Sequence, residues 1–246
     1  MMERKLKRIN LNYEIFEGVD GLELSKEELQ KNIDPMHQYP RQFSRGELGC
    51  FLSHYAVLKR IVAEELPYAL ILEDDVNLSP RLPAVLKAIE MAIEPGEVIS
   101  LYASFPEPCK LFKEKNIDQS YYFVKPYTGE LVVGAAAYVI TYQAAQNMIK
   151  NILPMDNVID DWRVWLRRKY IDDFKIVFPH PIDLTDMYSD IHESFGNIDL
   201  KIKKMIVNNE FPILANFIMN NRKRNRWAGR INNIIIDGKK PGILFF

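Results

Sequence analysis

Residues 68–75 read YALILEDD, a short apolar run that stops at three consecutive carboxylates. Such a run, without polar alternation, is typical of a strand that is buried on both faces of an α/β sheet. Similar short runs recur along the chain, at residues 98–102, 121–124, 135–140 and 175–178. We therefore expect a sheet whose strands include these segments.

Helices fit between the predicted strands. Ser44 and Glu47 have the spacing of a capping box, in which each side chain binds the backbone N–H of the other residue. Apolar side chains then recur at steps of three and four residues over 48–62, which predicts an amphipathic helix. Further helices are expected over 142–151 and 160–170.

The alternation of strands and helices predicts one α/β domain over residues 1–246, because no Pro/Gly-rich linker divides the chain. We expect its core over 1–196 and a helical, basic C-terminal extension over 197–246. Within the extension, residues 222–230 hold five basic side chains beside Trp227. This segment could contact an anionic membrane surface, and a solvated basic face is the alternative.

Composition restricts the class of protein. The chain has 246 residues, of which 48% are hydrophobic and 26% charged, and its net charge is −1. That balance argues against general nucleic-acid binding, which relies on excess Lys and Arg. Two cysteines, Cys50 and Cys109, are too few for a disulfide framework and favour a reducing, cytoplasmic compartment. The longest apolar run, 131–140, is far shorter than the ~20 residues of a membrane-spanning helix, so we expect a soluble protein.

The carboxylates of Glu73, Asp74 and Asp75 form the strongest candidate site. Three neighbouring acids repel one another, and a divalent cation with oxygen ligands is the simplest compensation. In open α/β sheets, ligands bind beyond the carboxyl ends of strands, which is where this triplet lies. Because alternate residues of an extended chain face the same side, we expect Glu73 and Asp75 to share the cation and Asp74 to face away. An exposed acidic turn without a ligand is the alternative. The sequence alone favours neither interpretation.

Several motifs, in chain order, resemble one known family. They are YEIFEGVDG at 13–21, SRGELGCFLSH at 44–54, ILEDD at 71–75, GAAAYVI at 134–140 and SDI at 189–191. Together they resemble glycosyltransferase family 25, which includes the lipooligosaccharide galactosyltransferases of Gram-negative bacteria and their collagen-modifying relatives. Members of the family usually begin with an apolar strand and a Ser-Leu-x-Arg-like turn, whereas this chain begins at about the basic helix that would follow.

The resemblance implies a GT-A fold with a mixed sheet. It also implies an inverting transfer of a hexose, with galactose as the first candidate, from a UDP-sugar to a lipooligosaccharide acceptor. A divalent cation at Glu73 and Asp75, Mn²⁺ or Mg²⁺, would stabilise the leaving diphosphate. His180 and His192 are candidates for a further metal ligand, and a surface or structural histidine is the alternative for each. Such an enzyme would work in the cytoplasm, with its basic tail at the inner membrane.

An inverting transfer also needs a general base near the acceptor hydroxyl. The resemblance places a downstream acidic residue where this chain has Asp156, Asp160 and Asp161. Trp162, directly after them, could stack on a sugar face, which favours Asp161 slightly over Asp160. Favourable negative charge at a helix N-terminus is the alternative for Asp160 and Asp161.

Three further polar residues, Ser53, His54 and Asp74, are candidates for contact with donor or acceptor. On the predicted helix, His54 lies off the apolar stripe and on the same face as Cys50 and Glu47. A structural histidine is the alternative for His54. We expect Cys50 to be a small packing residue and not a nucleophile.

Two other functions would use the same residues. A metal-dependent hydrolase or phosphotransferase could also bind a cation at Glu73 and Asp75, although the sequence has no phosphate-binding glycine loop. A transferase-like binding or scaffold protein is the other alternative, and it would follow if the donor-binding N-terminal strand were lacking.

Overall fold

The computed structural model describes residues 2–106, 109–127 and 129–184, together with a strand at Ile234–Asp237. Its helices are α1 (Met2–Arg8), α2 (Lys26–Asn32), α3 (Arg45–Ala63), α4 (Leu82–Glu90), α5 (Tyr142–Asn151) and α6 (Trp162–Arg167). Its strands are β1 (Tyr68–Leu72), β2 (Val76–Leu78), β3 (Glu97–Ser100), β4 (Lys110–Asn116), β5 (Tyr122–Pro126), β6 (Ala137–Thr141), β7 (Asp173–Phe178), β8 (Ile182–Leu184) and β9 (Ile234–Asp237).

Seven strands form one sheet in the order β1-β6-β3-β7-β5-β4-β9. The pairs β3–β7 and β4–β9 are parallel, and the other neighbours are antiparallel. This mixed sheet, interleaved with helices, confirms the predicted α/β architecture. Strands β2 and β8 form a separate antiparallel pair. Because β6 runs antiparallel to both β1 and β3, and β7 runs parallel to β3, the carboxyl ends of β1, β3 and β7 open at one edge of the sheet.

Helices cover both faces of the large sheet. Helices α3 and α5 pack together on one face, where α3 buries Phe51 in the core. Helix α4 buries Ile89 in a second cluster on the other face. Strand β6 separates the two clusters, since Tyr138 belongs to the first and its neighbour Val139 to the second. The strands of the sheet are therefore packed between two apolar layers, one on each face.

Helix α3 begins as the sequence predicts. The Ser44 hydroxyl accepts the Glu47 N–H at 3.1 Å, and the Glu47 carboxylate accepts the Ser44 N–H at 2.8 Å. This capping box satisfies two N–H groups that have no partner inside the helix. The capping box thus fixes where α3 begins, and α3 is the helix on which Cys50 and His54 lie.

A glycine on α3 allows a loop to lie directly against the helix. A Cβ at Gly49 would lie 2.7 Å from both the Gly21 nitrogen and the Val19 carbonyl oxygen, so the loop backbone would have to move. In an open helix Gly→Ala stabilises by about 1 kcal/mol. Here we expect Gly49→Ala to lower the free energy of unfolding by about 1–3 kcal/mol. Urea denaturation measures the change, and a gain in stability would show that the loop does not press on α3.

Several elements differ from the sequence-based expectation. The helix expected over 160–170 is limited to α6, and helices α2 and α4 and strands β2, β4 and β8 were not expected. Helix α1 is the basic N-terminal helix that the resemblance implies. Ile234–Asp237, in the extension expected to be helical, is a strand that pairs with β4. The rest of the extension, including the basic run at 222–230, lies outside the described residues, so its helicity and the domain boundary stay predictions. In the part of the chain that the structure describes, no helix is long and apolar enough to cross a membrane.

Candidate active site

The acidic triplet lies at the sheet edge where the carboxyl ends of β1, β3 and β7 meet. Its residues form a turn between β1 and β2, and the Glu73 N–H donates to the Ala136 carbonyl oxygen at 2.9 Å. Glu73 and Asp75 are half-buried, whereas Asp74 is exposed. Asp74 is therefore more exposed than its two neighbours, as expected. The cause is a turn, however, and not the alternation of side chains along an extended strand.

Asp75 has a carboxylate oxygen that lacks a partner. Its Oδ1 is buried and makes no hydrogen bond with any residue that the structure describes. Burial raises the pKa of Asp75, the charges of Glu73 and Asp74 raise it further, and the Lys5 ammonium opposes them. A buried anionic oxygen beside a second carboxylate is costly without a compensating positive charge. Both the oxygen donors and their negative charge fit a divalent cation.

A chain of close polar contacts leads from Glu73 into the core. Nε2 of His54 lies 3.2 Å from Oε1 of Glu73, and Nδ1 of His54 lies 2.9 Å from the Tyr138 hydroxyl. His54 and Tyr138 are buried, while the Glu73 side chain is 37% exposed. The contacts hold the Glu73 carboxylate at the border between the core and the open edge of the sheet.

Cys50 lies one helical turn before His54 and faces the same way. The Cys50 sulfur, a ring nitrogen of His54 and a carboxylate oxygen of Glu73 all lie within 4.8 Å of one another, so the three side chains could hold a metal ion. Cys50 and His54 thus share one face of α3, as predicted. The expectation that His54 lies off the apolar stripe was wrong, because it is buried together with Phe51 and Leu58 of the same helix. Burial raises the pKa of the Cys50 thiol to about 12, with contributions from Glu73, Asp160 and Glu47. At neutral pH the thiol is therefore protonated and unreactive unless a cation binds to it.

Tyr138→Phe tests the inner end of this chain of contacts. We expect the free energy of unfolding to fall by about 1–3 kcal/mol, because the buried Nδ1 of His54 loses its partner. The matched control is Tyr68→Phe on β1, whose exposed hydroxyl donates to Glu90 at 2.6 Å and should matter by less than about 0.5 kcal/mol. Urea denaturation compares the two, and equal losses would contradict the contact between Tyr138 and His54.

The structure separates the acids that were proposed as a general base. Asp156 forms a bidentate ion pair with Arg168, at 2.8 and 2.7 Å. Asp161 is buried at the start of α6, where its carboxylate accepts the Val164 N–H at 3.4 Å and lies 3.1 Å from Arg163. The partners of Asp156 and Asp161 thus give both carboxylates a structural role.

Asp160 differs from these two acids, because none of the described Lys or Arg side chains forms an ion pair with it. Burial raises the pKa of Asp160 to about 6, and the charges of Glu73 and Asp161 add to the effect. The backbone N–H of Gly134 donates to this carboxylate and opposes the rise. Gly134 has a φ of +118°, a conformation that glycine adopts without strain, and its carbonyl oxygen accepts the Trp162 indole N–H at 2.9 Å. The fold therefore holds Asp160 near Glu73 as an unusually basic carboxylate.

Two residues that were expected to touch a substrate have partners within the fold. Trp162 is only 1% exposed, and its ring stacks on Phe174 at 5.4 Å between centroids. The expectation that Trp162 stacks on a sugar was therefore wrong, because neither face of its ring is available. The Ser53 hydroxyl donates to the Gly49 carbonyl oxygen and accepts the Val19 N–H, both at 2.7 Å. Ser53 thus ties the N-terminal loop to α3.

The metal-ligand roles of His180 and His192 stay predictions. His180 follows β7, and its ring packs against Tyr102 and Phe178. Among the described residues, His180 belongs to no group of three donor side chains close enough to hold one metal ion. His192 lies outside the described residues.

Sequence reasoning gave no role to Tyr138 or Gly134, although both lie in the GAAAYVI motif. A signal was available for Tyr138, because a phenolic hydroxyl in a buried strand needs a hydrogen-bond partner. No local pattern indicates that the Gly134 backbone contacts both Asp160 and Trp162, since these contacts join segments far apart in the chain.

Comparison with known proteins identifies relatives of this chain. Residues 1–162 match the family model "Glycosyltransferase family 25 (LPS biosynthesis protein)", a span that includes Cys50, His54, the acidic triplet and Asp160. The chain is 41% identical over 103 residues to human procollagen galactosyltransferase 2, covering 39% of this chain and 16% of that protein. It is 41% identical over 91 residues to a glycosyltransferase 25 family member of Drosophila pseudoobscura, covering 34% of this chain and 14% of the relative. It is 29% identical over 164 residues to the lipooligosaccharide biosynthesis protein lic2B of Haemophilus influenzae, covering 61% of this chain and 57% of the relative.

The chain thus spans a small part of its animal relatives and somewhat more than half of the Haemophilus protein. The family match covers residues 1–162 of 246, which is more than half of the chain. The mixed sheet between helices, with its candidate site at the carboxyl end of β1, is consistent with a GT-A-like domain. The chain therefore belongs to glycosyltransferase family 25.

Proposed function

We propose that this chain is a metal-dependent enzyme that transfers a hexose from a UDP-sugar to a lipooligosaccharide or lipopolysaccharide core acceptor. Galactose is the first candidate for the hexose, and the transfer would invert the anomeric centre to give a β-linkage. The observation that carries the proposal is the pair Glu73 and Asp75 at the ligand-binding edge, where Oδ1 of Asp75 is buried without a partner among the described residues. Family membership supports glycosyl transfer. The name of the human relative supports galactose, and that of the Haemophilus relative supports the acceptor.

Glu73 and Asp75 would hold the ion, for which Mn²⁺ or Mg²⁺ is suitable because both prefer carboxylate and phosphate oxygens. When bound, the ion would stabilise negative charge on the leaving diphosphate. His54 would keep the Glu73 carboxylate in place through their 3.2 Å contact. Asp74, which is exposed, would face the donor.

Asp160 is the residue that we propose as the general base. A pKa of about 6 leaves it mostly ionised at pH 7, yet more basic than an ordinary carboxylate. It would take the proton of the acceptor hydroxyl as the new glycosidic bond forms. Asp156 and Asp161 are less suited to this role, because Arg168 and the start of α6 already use their oxygens.

We further propose that the enzyme works in the cytoplasm with its basic tail at the inner membrane. Residues 222–230 carry five basic side chains, and anionic lipid attracts such a segment by about 1 kcal/mol per charge. A lipid-linked acceptor would be presented at the same surface.

The direct test is incubation of the full chain with a panel of UDP-sugars, Mn²⁺ and a truncated lipooligosaccharide, followed by mass spectrometry of the acceptor. We expect a gain of one hexose, largest with UDP-galactose, that EDTA abolishes and added Mn²⁺ restores. UDP affinity, measured by calorimetry with and without Mn²⁺, should rise when the ion is present.

Two outcomes would favour the other functions that the sequence left open. Metal-dependent UDP affinity without transfer from any donor would favour a binding or scaffold protein. Release of free sugar from the donor, at a rate that the acceptor does not change, would favour a hydrolase. Transfer that is insensitive to EDTA would contradict the metal site.

A further inference from the structure

We propose that Cys50, His54 and Glu73 form a second metal site, which binds one transition-metal ion of the zinc type. This site shares Glu73 with the cation site of the proposed function. The two ions would therefore compete for one carboxylate, and only this competition rests on the proposed function. The site itself is argued from the three side chains alone.

The spacing of the donor atoms suits such an ion. Tetrahedral zinc binds sulfur, nitrogen and oxygen at about 2.0–2.3 Å, which puts neighbouring ligand atoms about 3.3–3.7 Å apart. The three donor atoms already lie within 4.8 Å of one another, and Nε2 of His54 lies 3.2 Å from Oε1 of Glu73. Only small side-chain movements would bring the three donor atoms to the spacing that the ion requires. Cys50 and His54 have the i, i+4 spacing with which one helix presents two ligands to one metal ion.

The Tyr138 hydroxyl supplies the outer partner that a metal-binding histidine needs. It lies 2.9 Å from Nδ1 of His54. In the tautomer with hydrogen on Nδ1, the ring donates to Tyr138, and the lone pair on Nε2 points towards Glu73. Partners of this kind fix the orientation and tautomer of histidine ligands. Without a metal, the other tautomer lets Nε2–H donate to Glu73, so the same residues satisfy both states.

The charge of the surroundings also favours a cation. Cys50 lies near the negative charges of Glu73, Asp160 and Glu47. Of these acids, Glu47 has the Arg41 guanidinium as a partner, whereas Glu73 has only His54 among the described ion pairs. A bound dication would compensate this charge, and Cys50 would lose its thiol proton to solvent on binding.

Thiolate and imidazole ligands distinguish this site from the cation site at Glu73 and Asp75. Zinc and cobalt accept sulfur and nitrogen donors, whereas Mn²⁺ and Mg²⁺ prefer oxygen. Zinc at Cys50 and His54 would draw Glu73 away from Asp75. We therefore expect micromolar zinc to lower Mn²⁺-dependent UDP affinity, and excess Mn²⁺ to restore it.

The test uses the full chain with Co²⁺ alone as a spectroscopic probe for zinc. We expect one Co²⁺ per chain and a thiolate-to-cobalt charge-transfer band in the near ultraviolet. Cys50→Ser should abolish the band and weaken zinc binding, measured by competition with a chromophoric chelator, by more than about 100-fold. Cys109→Ser is the matched control, since Cys109 is a free cysteine like Cys50, is more deeply buried, and belongs to no such group among the described residues.

A wild-type protein that shows no charge-transfer band would overturn the proposal, as would a band that survives in Cys50→Ser. Circular dichroism confirms that each variant is folded, and Cys50→Ala is a second variant should the serine disturb α3. Asp75→Asn separates the two sites, because it should lose Mn²⁺-dependent UDP binding yet keep the cobalt band. In the wild type, Mn²⁺-dependent UDP binding without a cobalt band overturns only the second site, and a cobalt band without Mn²⁺-dependent UDP binding overturns only the proposed function.

Discussion

Asp75→Asn should lower hexose transfer by at least about 10³-fold, the scale on which the loss of one electrostatic stabiliser acts. The substitution keeps the shape of the side chain and removes the charge that would hold the cation. Mn²⁺-dependent UDP affinity should be lost with it, which calorimetry measures. The unfolding temperature of the metal-free protein should stay the same or rise, because burial and the charges of Glu73 and Asp74 already disfavour the ionised form of Asp75.

The control for this prediction is Asp172→Asn. Asp172 is exposed and directly precedes β7, so it lies at the opposite edge of the sheet from the acidic triplet. Its substitution should leave both transfer and UDP affinity within about twofold of the wild type. Unchanged transfer in Asp75→Asn would reject the metal assignment. A fall in activity together with a lower unfolding temperature would point to a structural role for Asp75.

Elements with strong local signals could be predicted from the sequence. Strand β1 is a purely apolar run with carboxylates at its end, and α3 has a capping box followed by a stripe of apolar residues. Strand β4 was missed because KLFKEKN has only one fully buried side chain, Leu111, and its charges hide the alternation. What makes it a strand is pairing with β5, which follows it along the chain, and with β9, which is distant in sequence.

The candidate site shows the same division. That Glu73 and Asp75 lie at the carboxyl end of a strand could be predicted from the apolar run before them. The expectation that this strand is buried on both faces was wrong, because β1 is the outermost strand of the sheet and only Ile71 of it is buried. The different surroundings of the three acids near residue 160 could not be predicted from the sequence, because the ion pair with Arg168 and the capped start of α6 form only in the fold. Trp162 was misread for a similar reason, since Phe174 of β7 covers its ring.

Asp160→Asn should lower the rate of transfer by about 10²–10⁴-fold, the contribution typical of a general base. In the wild type, log kcat/KM should rise with pH through about 6, as Asp160 loses its proton. The variant has no group to titrate there, so its small residual activity should stay flat across this range. Single-turnover rates from pH 5 to about pH 8 would show the difference.

Stability should depend on pH in the opposite direction in the metal-free protein. Burial holds the folded-state pKa of Asp160 at about 6, above the ordinary value of 3.8. Between these values the folded chain keeps the proton and the unfolded chain does not, so the free energy of unfolding falls as pH rises, by at most about 3 kcal/mol. Asp160→Asn removes this fall, which urea denaturation at pH 4 and about pH 7 would reveal.

Asp156→Asn is the matched control for Asp160, because it removes a carboxylate that Arg168 holds in a bidentate pair. It should cost about 1–3 kcal/mol of stability, since it leaves a partly buried guanidinium without its partner, yet keep the rise in kcat/KM through pH 6. If Asp156→Asn flattened the pH profile and Asp160→Asn did not, the base would be Asp156. In that case the ion pair with Arg168 would have to open during turnover, and the raised pKa of Asp160 would reflect only burial beside Glu73.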